Sequence, residues 1–234
     1  MNRQCLIASL PRCGNQMLRS ILNQHSNVHA VSEVLRLSWL KEREQSNHWD
    51  KQHVLKCSNI LSQEDVITNF NQIKSSCDKD VFCYTAFPSQ LLDSTLLGHI
   101  QYDKCIFLVR SNMLKRFCSM KLGSIVKRWE ADQESFELKK NITFKLHLDE
   151  YVVYAHTYRN IVNRIKSTLS EHILLNYEDM LDKTKDLFSY LDVPIINVSP
   201  TTRQSEQRPL NDIILNYDDV INNLESQNLI YLCS

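Results

Sequence analysis

Apolar positions along this chain fall either into short unbroken runs or into stripes at helical spacing. Leu6, Ile7, Ala8 and Leu10 make the first run, and beyond a polar turn Met17, Leu18, Ile21 and Leu22 share one helical face. Ser62-Gln-Glu-Asp supplies an N-cap for a second stripe, Val66, Ile67, Phe70 and Ile73, predicting a helix to about Ser76. Residues 80–87, DVFCYTAF, read as a strand closed by Pro88, with a helix expected over 89–100. KCIFLV, residues 104–109, is the clearest buried strand, and a helix is predicted from Asn112. Further on come a long helix over about 148–169, a strand at 171–176, a helix over about 180–191 before Pro194, and a last amphipathic helix. Residues 26–37 read as a loop, 41–56 as a polar insertion with a lid or substrate-facing role, and 131–141 as a charged loop. Repeated strand and helix predict an α/β fold, a parallel β-sheet flanked by helices. No repeat, linker or low-complexity tract divides residues 1–234, so a single domain is expected.

The turn after the first run is where chemistry is expected. A helix leaving a strand-end turn presents first-turn N–H groups and a positive dipole end, which suit an anion. Gly14 allows close backbone approach, and Arg12 adds a planar cationic fork. Phosphate or sulfate suits such a turn, although many strand-turn-helix units carry a glycine with no ligand. The Walker A pattern is absent: its second glycine and its Lys-Ser/Thr pair are missing, which argues against an ordinary ATPase or GTPase. Arg110 follows KCIFLV directly, at the carboxyl end of a strand, where open parallel sheets bind ligands. Ser119 lies farther along the next helix, on a side that can meet whatever Arg110 holds, whereas Lys115, Arg116, Lys121, Lys127 and Arg128 read as a solvated basic face.

Composition narrows the classes. Twenty-seven Lys and Arg balance 27 Asp and Glu, so no nucleic-acid partner is expected, and no apolar run has the length of a membrane span. The opening residues do not form a secretory signal, and the expected compartment is the cytoplasm. Eight cysteines form no CxxC pair, and Cys5, Cys83 and Cys105 fall in apolar runs; neither a metal site nor a disulfide framework is expected. Cys13, beside Arg12 at a helix start, is expected to be a reactive thiol. Glu33, between Val31 and Val34, reads from its neighbours alone either as a solvated loop residue or as a functional acid.

Several blocks in order resemble the sulfotransferases. PRCGNQMLRSILNQH is similar to their 5′-phosphosulfate loop, usually PRSGTTLLRSIL or close to it, and LVRSNMLKRFCSMKLG to their 3′-phosphate segment. ITF before a long helix, then ILLNYEDML and RQSEQRPLNDIILNYDDVINNL, resemble later blocks, particularly of the bacterial carbohydrate and lipid branch. The resemblance implies a P-loop-like α/β fold using 3′-phosphoadenosine 5′-phosphosulfate (PAPS), with 3′-phosphoadenosine 5′-phosphate (PAP) as product. It implies transfer of a sulfuryl group to a hydroxyl of a glycan, glycolipid or small-molecule acceptor. By position, Arg12, Cys13, Gly14, Asn15, Gln16 and Met17 would hold the phosphosulfate, with Arg12 also catalytic, and Arg110 and Ser119 the 3′-phosphate. Arg203, Gln207 and Arg208 would close a late loop over the cofactor, and Glu33 matches a catalytic acid. No metal is implied. Cys13 replaces the usual Ser, Asn15-Gln16 the usual Thr-Thr pair, and a Lys often found near Tyr84 is absent. Those departures leave room for a nucleotide-binding homologue without catalysis, and a small-molecule kinase is a third reading.

Overall fold

The computed structural model describes residues 2–32, 34–35, 62–92, 101–129, 133–199 and 208–233. Glu33, Arg203 and Gln207, the 41–56 insertion and the 93–100 part of the expected helix lie outside the described residues.

Five parallel strands form the sheet: β1 (Arg3–Ser9), β2 (Val28–Val31), β3 (Val81–Ala86), β4 (Lys104–Val109) and β5 (Ile173–Asn176), in the order β2-β3-β1-β4-β5. β1 is central, with Cys5 opposite Cys83 of β3 and Ser9 opposite Leu108 of β4. Every residue of β3 is buried, as expected of a strand covered on both faces, which is why its sequence does not alternate. Cys5, Cys83 and Cys105 lie in that core as the apolar runs imply.

The helices are α1 (Asn15–Leu22), α2 (Gln63–Ser75), the four-residue α3 (Pro88–Leu91), α4 (Met113–Val126), α5 (Gln133–Lys139), α6 (Leu148–Thr168), α7 (Thr184–Tyr190) and α8 (Tyr217–Ser226). α2 starts where its signal places it: the Ser62 hydroxyl accepts from the Asp65 N–H while the Asp65 carboxylate accepts from the Ser62 N–H.

Three local expectations change. Residues 28–31 are not loop but the edge strand β2, whose four residues are too few to register as a periodic run. Residues 133–139 are helical, because spacing by four lets Gln133 donate to Glu137 and Lys139 to Ser135, and burial of Lys139 draws the segment inward. The helix after β5 begins only at Thr184, because Tyr177–Asp179 form a 3-10 turn whose side chains reach across to other strand ends. Among the described residues, no helix is long and apolar enough to cross a membrane.

Candidate active site

The site lies at the carboxyl ends of β1 and β4, where chain order reverses direction across the sheet. Below it, β1 ends at Ser9, and Arg12 (φ 67°) and Gly14 (φ 96°) take left-handed backbone before α1 begins. Gly14 is the N-cap residue; α1 has no side-chain cap and no acid in its first turn, so nothing of its own neutralises the positive end of its dipole. A Cβ on Gly14 would stand 2.2 Å from Cδ2 of Tyr177, so glycine is required both by the backbone and by this aromatic neighbour.

Arg12 costs about 1–2 kcal/mol in its left-handed conformation, and the surrounding contacts offset that strain. Its Nε and Nη2 donate to the Ser119 hydroxyl at 3.0 and 2.9 Å, and its Nη1 donates to the Trp129 carbonyl at 2.5 Å. One residue earlier, the Pro11 carbonyl accepts from Nε and Nη2 of Arg116 at 3.1 and 2.7 Å. Arg116 and Ser119 lie one helical turn apart on α4, so a single helix face grips Pro11 and Arg12 together.

Arg110 completes the cluster from β4. Its guanidinium lies 4.6 Å from the centre of the Tyr177 ring, its Nη1 reaches the Arg12 carbonyl at 3.5 Å, and it is 9% exposed. Its backbone N–H donates to the Tyr158 hydroxyl (3.1 Å), which in turn donates to the Arg110 carbonyl (3.2 Å). Burial pushes the Tyr158 phenol far above its usual range and Tyr154 up to about 12, so both stay neutral beside the arginines at physiological pH.

Of the residues expected from sequence, the structure therefore brings together Arg12, Cys13, Gly14, Asn15, Arg110 and Ser119. Gln16 and Met17 form the opening turn of α1, with Met17 packed against the core. Arg208 donates to the carbonyls of Ile142 and Lys139, closing the end of α5. Asn15 donates through Nδ2 to the Leu10 carbonyl at 3.4 Å, leaving its buried Oδ1 without a hydrogen-bond partner among the described residues.

Two sequence expectations are corrected here. Cys13 is fully buried with its sulfur 3.6 Å from the Tyr158 hydroxyl, so a solvent-borne reagent has no access to the thiol. Arg116 is not part of a solvated face: it is buried, lies 4.2 Å from the centre of the Tyr158 ring, and also donates to the Tyr154 hydroxyl. The signal for it was positional, since Arg116 follows the apolar Met113 by one turn and precedes Ser119 by another. Arg116→Met should destabilise the fold by about 2–3 kcal/mol, because a buried carbonyl loses its charged donor; Arg116→Lys should fall between the two, lacking the fork. Urea denaturation reads this directly, and a change under about 0.5 kcal/mol in the methionine variant would make Arg116 an ordinary surface residue.

Tyr177, Tyr158 and Glu178 were also missed. Glu178 accepts from the Ser111 N–H and hydroxyl and from the Asn112 N–H. Burial by itself would raise its pKa, but these hydrogen bonds outweigh burial and hold the carboxyl below its usual value. No periodicity marks their partners; these are found only once the strand ends and helix α6 are placed side by side.

Solved structures with the same fold exist. A sulfotransferase from Alicyclobacillus acidocaldarius superposes with a TM-score of 0.51 at 13% identity, covering 99% of this chain and 96% of its own. The sulfotransferase domain of the Synechococcus PCC 7002 olefin synthase gives 0.50 at 16% identity, covering 83% of this chain and 74% of that one. The chain has the sulfotransferase fold. No protein-family model and no curated protein matches the sequence. Within the sulfotransferase fold, the strand-end turn of residues 11–14 and the 110–119 segment meet through Arg12 and Ser119.

Proposed function

We propose that the chain is a PAPS-dependent sulfotransferase acting on a hydroxyl of a glycan, glycolipid or small molecule. The observation that carries this reading is the convergence of the uncapped start of α1 with Arg12 and Arg110 at the ends of adjacent strands. The residues suit an anionic donor: Arg110 Nε is buried without a hydrogen-bond acceptor among the described residues, a costly arrangement for a guanidinium unless an anion comes to it.

When bound, PAPS supplies the sulfuryl group and a phosphate leaving group. Arg12 and the first turn of α1 hold the phosphosulfate and stabilise negative charge developing on the leaving oxygen. Arg110 and the Ser119 hydroxyl, which accepts from Arg12, would hold the 3′-phosphate. Holding both ends of the donor fixes its line of approach, which is most of what a loose transition state asks of a protein. Glu33 would accept the proton of the acceptor hydroxyl as that oxygen bonds to sulfur and the bond from sulfur to the leaving phosphate oxygen breaks.

The test is transfer of labelled sulfate from PAPS across a panel of sugars, glycolipids and phenols. Glu33→Ala should lower transfer by about 10²–10⁴-fold while PAP affinity stays within about twofold. Unchanged turnover in that variant removes Glu33 from the mechanism. Asn15 favours a second reading, a nucleotide-binding homologue without catalysis: its amide donor is turned toward Leu10, and its acceptor oxygen is the group left unpartnered in an anion loop. Tight PAP binding with no transfer to any acceptor would favour that reading.

A further inference from the structure

Two neighbouring residues of the 3-10 turn after β5 touch different halves of the site. Tyr177 lies against Gly14 on one side and Arg110 on another, while Glu178 engages the turn between β4 and α4. Its Oε2 accepts from the Ser111 N–H at 3.1 Å and from the Ser111 hydroxyl at 2.9 Å, and its Oε1 accepts from the Asn112 N–H at 3.1 Å. The same Oε1 stands 3.8 Å from Arg110 Nε, close enough for an ion pair and too far for a hydrogen bond. The start of α4 is thus filled by groups of the chain itself, Asn112 capping Lys115 and Glu178 taking the preceding amides, in contrast to the uncapped start of α1.

The geometry points to Glu178 as a positioning residue for recognition of the 3′-phosphate. It fixes the backbone from which Arg110 departs and draws the guanidinium to one side by charge. Because the carboxylate stops short of a hydrogen bond, the buried Nε–H is left without an acceptor among the described residues, a donor that a phosphate reaching this strand end would satisfy. A residue bonded to the Ser111 and Asn112 amides also keeps that helix start from serving as a rival anion site. This inference rests on the PAPS reading. Its distinctive consequence is selectivity: Glu178 should matter for a nucleotide carrying a 3′-phosphate and not for one lacking it.

Calorimetric titration of the full chain with PAP and with adenosine 5′-phosphate separates these cases. Glu178→Gln should weaken PAP about tenfold and leave adenosine 5′-phosphate within about twofold, since the neutral amide has one acceptor oxygen where two are used. Glu178→Asp keeps both oxygens on a shorter stem and should recover part of the loss; it also serves if the glutamine variant does not fold, which circular dichroism detects. Equal weakening of both nucleotides overturns the inference, because a general scaffold role affects both. Tighter PAP binding overturns it as well, since Glu178 would then act as a repelling charge. Wild type binding the two nucleotides equally overturns the PAPS reading itself, and that result is visible before any variant is made.

Discussion

Arg110→Ala is expected to weaken PAP binding by about 100-fold or more, roughly 2.7 kcal/mol. The side chain is nearly buried, carries an Nε–H with no acceptor among the described residues, and balances the Glu178 carboxylate. Its removal takes away a charge-assisted donor and leaves that carboxylate facing the incoming phosphate, so both effects have the same sign. Calorimetry with PAP, and with ATP as the comparison ligand, needs no knowledge of the acceptor. Wild type should prefer PAP, and the variant should lose that preference. Unaltered PAP affinity in Arg110→Ala would falsify the assignment of the 3′-phosphate to this strand end, and a preference for ATP with magnesium would revive the kinase reading.

Gly14→Ala should be the most damaging single methyl group in the site. The left-handed backbone at φ 96° costs an L-residue about 1–2 kcal/mol, and a Cβ 2.2 Å from the Tyr177 ring adds about 1–3 kcal/mol of overpacking. At roughly 2–4 °C per kcal/mol for a chain of this size, a melting point lowered by about 5–15 °C is expected. The two contributions can be separated. Repeating the substitution in a Tyr177→Ala background should relieve the clash and leave the backbone cost, so the loss there should be about half as large. An equal loss in both backgrounds would mean that the ring moves aside without cost, and a melting point unchanged by Gly14→Ala would remove the packing argument altogether.

Much of this site was legible in the sequence because its parts are local. KCIFLV announces a buried strand, and Arg110 follows it by chain order alone; the turn carrying Arg12 and Gly14 is likewise bounded by a strand and a helix that both show clear periodicity. β2 was not legible, because four residues whose pairing partner is far along the chain carry little signal of their own. The charged look of residues 133–139 hid a helix whose lysine is buried, and composition could not show that burial. The supporting residues were the hardest to see. Arg116 looks in composition like its solvent-facing neighbour Lys115; helical spacing from Met113 and Ser119 is the one sequence cue that separates them, and the Pro11 carbonyl gives the buried guanidinium its partner. Tyr177 and Glu178 act on Gly14 and on the 110–112 turn through contacts between segments far apart in sequence, which no periodicity encodes.

The register of the two central strands makes the sheet a gauge of charge separation. Ser9 is paired with Leu108 on strands about 4.8 Å apart, so β1 and β4 end side by side, with Arg110 one residue beyond Val109 and Arg12 three beyond Ser9. The two cationic segments thus leave from neighbouring hydrogen-bonded strand ends, Arg110 directly and Arg12 after a short turn. Slipping β4 by one residue against β1 would shift Arg110 by about 3.3 Å and turn its side chain to the opposite face of the sheet. A single inserted or deleted residue within KCIFLV should therefore take Arg110 out of the cluster altogether, while Arg12 stays where β1 leaves it.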